Sequence, residues 1–147
     1  MRIATAADEL TGVALEIGAE LERREVVPHG ALSSAEDERD DWAWASEAAA
    51  RDVAEGRADQ AVIACWTGTG ASISANKVGG IRAALCGDAE TARGARVWND
   101  ANCLALSLRT TSAAELAEIL DAWLDAEPSS ADDDRANVEH LGEIERG

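Results

Sequence analysis

Along this chain, short unbroken runs of apolar residues alternate with longer stretches in which apolar positions return every third or fourth residue. The runs at Arg2–Ala6, Glu25–Pro28, Gln60–Cys65, Ile81–Cys86 and Cys103–Leu108 predict strands covered on both faces, as in a parallel sheet. Between them, Val13–Arg24 places Ala14, Ile17 and Leu21 on one face and Glu16, Glu20 and Glu22 elsewhere, which predicts an amphipathic helix. An alanine-rich helix is predicted over Asp41–Glu55, and another over Asp88–Trp98 behind an aspartate suited to N-capping. A further helix, Ser112–Asp125, opens on the capping box Ser112-x-x-Glu115. The glycine-bearing stretch up to Ser72 reads as a loop, with a helix from Ile73. Pro28–Arg39 reads as a polar loop able to lie over a site, and Glu127–Arg135 as a linker to a short final helix. Strand alternating with helix gives the α/β class: a Rossmann-like three-layer sandwich around a five-stranded parallel sheet, with residues 1–147 forming one domain.

In open sheets of this class, ligands bind beyond the carboxyl ends of the strands. That rule gathers Asp8 and Glu9 after the first strand, Cys65 to Ser72 after the third, Gly87 and Asp88 after the fourth, and Arg109 after the fifth. The string Cys65-Trp66-Thr67-Gly68-Thr69-Gly70-Ala71-Ser72 sets a thiol against a glycine turn and a helix N-terminus, whose free amides favour negative charge. A thiol in such a field is a candidate base or nucleophile. The amides are candidate donors to a phosphate, a carboxylate or an oxyanion formed in reaction.

The formal net charge of −16 argues against nucleic acid and anionic membranes as partners, since both call for a cationic surface. Three cysteines at spacings that suggest neither a disulfide nor a zinc framework fit a reducing, cytoplasmic setting. The opening residues do not read as a signal peptide, and no apolar run approaches membrane-spanning length. Gly68-x-Gly70 lacks both the dinucleotide and the Walker patterns, so no nucleotide cofactor is expected. The run Asp132-Asp133-Asp134 reads as a solvated helix start rather than a metal site. Aromatic residues are confined to five tryptophans. Trp42, Trp44, Trp66 and Trp98 fall in segments able to border a pocket, while Trp123 sits on the apolar face of a late helix.

A longer signature surrounds the glycines. It runs from Cys65 to Lys77, through Gly79-Gly80-Ile81-Arg82-Ala83-Ala84-Leu85-Cys86, to Asn99-Asp100-Ala101-Asn102. Over Val62 to Leu106 the chain resembles the ribose-5-phosphate isomerase B and galactose-6-phosphate isomerase family of sugar-phosphate isomerases. The resemblance implies a homodimer or tetramer whose active site draws on two subunits, with the 127–147 tail helix packing on a partner. It also implies cofactor-free aldose–ketose isomerisation through a cis-enediolate, a task for one base and preorganised donors. Cys65 stands at the family's catalytic cysteine, and Thr67 at the threonine that assists proton movement between sugar oxygens. Gly68, Gly70, Ala71 and Ser72 match its oxyanion-binding loop, Asn99 matches a substrate-binding asparagine, and Asp8 matches the aspartate of an Asp-His pair.

The departures from that pattern point to altered specificity. Glu9 replaces the histidine after the aspartate and repels a phosphate, and Trp98 replaces the histidine assigned to ring opening, bringing no exchangeable proton near neutral pH. Asp133 and Asn137 stand where the family carries phosphate-gripping arginines, leaving Arg135 nearby but out of register, and Trp66 replaces a glycine of the loop. Charge-assisted contacts to a dianion are strong, so their loss points to a substrate without a phosphate, in a pocket bordered by Trp66 and Trp98. Each of these residues also has a plainer role. Asp8 is suited to capping the first helix, Cys86 and Cys103 to filling the core, Lys77 to pairing with a carboxylate or a helix end, and each tryptophan to core or subunit packing. His29 and His140 are expected to be exposed and idle, in a loop and a tail. Two other functional readings stay open: a non-catalytic sugar-binding homologue or one subunit of a heteromeric isomerase, and a scaffold turned to a non-sugar carbonyl compound.

Overall fold

A computed structural model describes all residues, Met1–Gly147. Five strands, β1 (Arg2–Ala7), β2 (Glu25–Gly30), β3 (Gln60–Cys65), β4 (Ala83–Leu85) and β5 (Cys103–Ser107), form one parallel sheet in the order β2-β1-β3-β5-β4. Six helices accompany them: α1 (Ala14–Glu20), α2 (Trp42–Ala54), α3 (Thr69–Asn76), α4 (Ala89–Asn99), α5 (Ala113–Asp125) and α6 (Asp132–Arg146).

Alternation along the strands divides the core in two. Ile3, Val62, Ala64, Leu104 and Leu106 meet α1, α4 and α5 on one face, where Ile17, Leu21, Leu116, Ile119 and Trp123 are buried. On the other face Ala4, Ala6, Ala61, Ile63 and Ala105 meet Ala45, Ala49 and Ala50 of α2 and Ala71 and Ala75 of α3. That second interface is built mostly of alanine, so α2 and α3 lie close to the sheet. Cys65 belongs to this face, and its thiol therefore points toward α3. The Trp123 indole N–H donates to Gln60 Oε1 at 2.8 Å, which satisfies both groups inside the core.

The predicted caps are present: Asp88 accepts from the Thr91 amide at 2.7 Å, and Ser112 and Glu115 form the reciprocal box. Other boundaries move. α1 is shorter than the Val13–Arg24 pattern, and β4 is shorter than Ile81–Cys86. The Asn76 side chain donates to the Ala83 carbonyl and accepts from its amide, covering the outer edge of β4. Asp132 already lies in α6, so the acidic run is the helix's first turn, where its charge suits the helix dipole. α6 buries no residue and leaves Leu141 and Ile144 exposed.

His29 corrects the sequence reading. It belongs to β2 and is partly buried, with Nδ1 2.6 Å from Glu38 Oε1 and Nε2 2.7 Å from Asp52 Oδ2. His140 is exposed but holds Glu143 at 2.7 Å. Lys77 makes no ion pair and stands at the C-terminal end of α3 as its C-cap residue, the helix-end alternative. No helix is long and apolar enough to cross a membrane.

Candidate active site

The chain leaves β1 for β2 on one side and returns to β3 on the other, so the strand order reverses between β1 and β3. Ala7 pairs with Ala64, which places Asp8 and Cys65 side by side at the carboxyl ends. Cys65 is 5% exposed and its Sγ accepts from the Ala71 amide at 3.5 Å. Cys86 and Cys103, also buried, are core thiols; burial pushes Cys86 up to about 11 and Cys103 to about 12.

The segment after Cys65 is held by β5. The Trp66 carbonyl accepts from the Arg109 amide at 2.9 Å and from Ser107 Oγ at 3.0 Å, while the Trp66 ring stays half exposed. Gly68 then adopts φ +76° as the N-cap of α3. A Cβ at Gly68 would lie 2.9 Å from the Leu106 backbone carbonyl, so glycine meets both a conformational and a spatial demand. α3 begins at Thr69, not Ile73, and most of the predicted loop is therefore the first turn of a helix. This changes which amides are free: Ala71 is committed to Cys65 and Ser72 donates to the Gly68 carbonyl at 3.1 Å. The amides of Thr67, Gly68, Thr69 and Gly70 have no partner within the chain. Thr67 and Thr69 share a hydrogen bond between their hydroxyls at 2.7 Å.

Asp8 does not cap α1, whose N-cap is Val13. Its Oδ1 is buried without a hydrogen-bond partner, and its carboxyl is raised above the ordinary value by burial first, then by the charges of Glu9, Asp40 and Asp41. Asp40 and Asp41 end the loop that follows β2. Nothing in their local sequence pattern places them near Asp8. Arg109, exposed at the end of β5 and free of ion pairs, was gathered by the strand-end rule but given no task.

Trp98, Asn99 and Arg135 lie elsewhere. α4 runs back against the strands, so its C-terminal residues Trp98 and Asn99 stand at the amino end of the sheet, close before β5. Trp98 and Arg135 share a cleft of about 430 Å³ with Ser129, Asp134 and Glu139. Asn99 borders an adjoining groove between α6 and the Gly80–Ala84 segment. Asp100, at φ +44°, ends α4; its side chain is held by Arg82 at 3.2 Å and its carbonyl accepts from Arg82 Nε at 2.7 Å. Within one chain, then, the candidate residues form two groups at opposite ends of the sheet.

The tryptophans likewise border no single pocket. The Trp42 ring fills the space over Gly70, 2.8 Å from where a Cβ would stand, and Trp98 covers Gly94 in the same way at 2.6 Å. Trp44 carries the Arg39 guanidinium 3.5 Å from its ring centroid and shares an outward cleft with Trp42, Ile73 and Lys77. No group of three or more His, Cys, Asp or Glu side chains is arranged to hold a metal ion.

The family model described as Ribose/Galactose Isomerase matches residues 3–141. The chain belongs to the ribose/galactose isomerase family. It is 40% identical to ribose-5-phosphate isomerase B of Escherichia coli over 114 residues, 76% of this chain and 74% of that protein. It is 42% identical to galactose-6-phosphate isomerase subunit LacB of Clostridium acetobutylicum over 98 residues, 67% of this chain and 57% of LacB. The match to D-erythrulose-4-phosphate isomerase of Pectobacterium atrosepticum is 44% identical and spans 51% of this chain and about half of that protein, 49%. The solved ribose-5-phosphate isomerase B of Clostridium thermocellum superposes with a TM-score of 0.87 at 35% identity, covering 99% of this chain and 98% of that one. Members of this ribose/galactose isomerase family thus share the whole fold with this chain, and the named relatives act on phosphorylated sugars.

Proposed function

We propose that the chain is a cofactor-independent aldose–ketose isomerase acting through a cis-enediolate. The observation that carries this reading is the Cys65 thiol beside four consecutive unpartnered amides, Thr67 to Gly70, at the strand switch point. Cys65 as thiolate takes the proton from the carbon next to the substrate carbonyl; the C–H electron pair becomes the enediolate double bond and the carbonyl oxygen becomes an oxyanion. Amides fixed before reaction hold that charge without reorganising. Thr67 relays a proton between the two oxygens, and the Cys65 thiol returns its proton to the neighbouring carbon. Asp8 and Glu9 receive substrate hydroxyls, and Trp66 covers the open side.

Trp98, Asn99 and Arg135 lie at the opposite end of the sheet from Cys65 of their own chain, and in this reading they serve the site of a second copy in a homodimer or tetramer. The exposed Leu141 and Ile144 of α6 support that assembly as apolar residues for a partner to cover. The acidic group at the site mouth disfavours a dianion and supports an unphosphorylated sugar as substrate. One observation favours a second reading: Arg109, whose backbone amide holds the Trp66 carbonyl, is exposed and makes no ion pair, so its guanidinium is available to an anionic end group. Turnover of D-ribose against D-ribose 5-phosphate in deuterium oxide separates them, since enediolate chemistry incorporates solvent deuterium. The expected outcome is a higher kcat/KM for the unphosphorylated sugar and loss of exchange in Cys65→Ala. Preference for the phosphate that disappears in Arg109→Met supports the second reading, and full exchange by Cys65→Ala overturns the role of the thiol.

A further inference from the structure

β2 ends in a charge cluster that lies outside the reacting groups. His29 faces the Glu38 carboxylate of the Ala31–Asp41 loop with one ring nitrogen and Asp52 of α2 with the other, at 2.6 and 2.7 Å. Each ring nitrogen lies within hydrogen-bond distance of a carboxylate oxygen, so the ring bridges the loop and α2. Asp52 also takes Arg57 Nε at 2.7 Å, and Glu38 also takes the Gly30 amide at 3.3 Å. Burial pushes both carboxyls up, but hydrogen bonds overcome it and both lie below their ordinary values: those from Ser33, His29 and Gly30 at Glu38, and those from His29 and Arg57 at Asp52. The side chain of Asp52 is 7% exposed and that of His29 17%, so water does little to weaken the contacts.

The pinned loop leads directly to the site. Glu38 precedes Asp40 and Asp41, whose charges act on Asp8, and Trp42, whose ring lies over Gly70 in the first turn of α3. At the loop's other end the Ala31 amide donates to the Ala7 carbonyl at 2.8 Å, next to Asp8. We propose that His29 is a positioning residue: by clamping Glu38 to Asp52 it seats the Ala31–Asp41 loop, and through Asp40, Asp41 and Trp42 it sets the shape and charge of the site around Asp8, Cys65 and Gly70. This rests on the isomerase reading for its functional meaning, but its test needs no turnover.

The three cysteines supply the readout. Brief alkylation with iodoacetamide followed by peptide mass spectrometry compares Cys65 at the site with Cys86 and Cys103 in the core. In His29→Gln, whose two N–H donors share one nitrogen and cannot face both carboxylates, Cys65 should be labelled about tenfold faster, with Cys86 and Cys103 unchanged. A Glu-specific protease should cut faster after Glu36 and Glu38 in the same variant. His29→Lys brings several donors to the same two carboxylates and should restore both rates toward the original. Unchanged Cys65 labelling, or all three cysteines speeding up together as in a general loss of stability, would overturn the proposal. Either result leaves the deuterium-exchange test of the isomerase untouched.

Discussion

Replacing Gly68 with alanine tests the claim that the turn after Cys65 is held from behind by β5. Gly56 provides the control, because its φ of +75° is nearly that of Gly68 at +76°, yet a Cβ there meets nothing within 4 Å. An L-residue in this region costs roughly 1–2 kcal/mol. Loss of glycine's freedom in the unfolded chain returns roughly 0.4–1 kcal/mol, so Gly56→Ala should destabilise by about 1 kcal/mol. At Gly68 the new methyl stands 2.9 Å from the Leu106 carbonyl carbon and oxygen and 2.5 Å from Leu85 Cδ1. The leucine side chain can swing away, but the backbone of β5, paired on both sides, cannot. Overpacking of this kind adds roughly 1–3 kcal/mol, giving about 2–4 kcal/mol in total for Gly68→Ala. Urea denaturation followed by far-UV circular dichroism gives both values by linear extrapolation, and the difference between the variants isolates the steric part. Equal costs for the two substitutions would refute the reasoning.

Two further outcomes follow from buried polar contacts. Trp123→Phe should lose about 1–3 kcal/mol in the same urea assay because Gln60 Oε1 is left buried without its donor; adding Gln60→Leu should recover part of that loss. Asp52, held below its ordinary value against burial by His29 and Arg57, contributes stability that is complete above the unfolded carboxylate range and is lost as pH falls through the lowered value. Stability measured from pH 6 downward should therefore fall more steeply in the original chain than in Asp52→Asn, which should already have lost about 3 kcal/mol at pH 6.

The sheet was legible because buried parallel strands are nearly continuous apolar runs, and Gln60–Cys65 was read to the residue. The caps of α4 and α5 were legible because capping chemistry is local. α3 was misread because a glycine in a helix start looks like a loop; Gly70 is there for the Trp42 ring, which comes from a distant helix. His29 escaped for a similar reason, since its two partners lie nine and twenty-three residues away. The carboxyl-end group of the site followed from the strand-end rule. The separation of Trp98 and Arg135 from Cys65 did not, because a motif match carries no information about the end of the sheet at which each residue stands.

The indole of Trp98 over Gly94 also constrains how this lineage can change. The two positions are one turn apart in α4, and the ring occupies the volume that any side chain at position 94 would need. A side chain at 94 must push the half-exposed ring off the helix, whereas a smaller residue at 98 leaves position 94 open to drift. The two positions are therefore coupled: a change at 94 is felt at 98 as a change in where the indole stands, and so in the shape of the cleft it shares with Arg135.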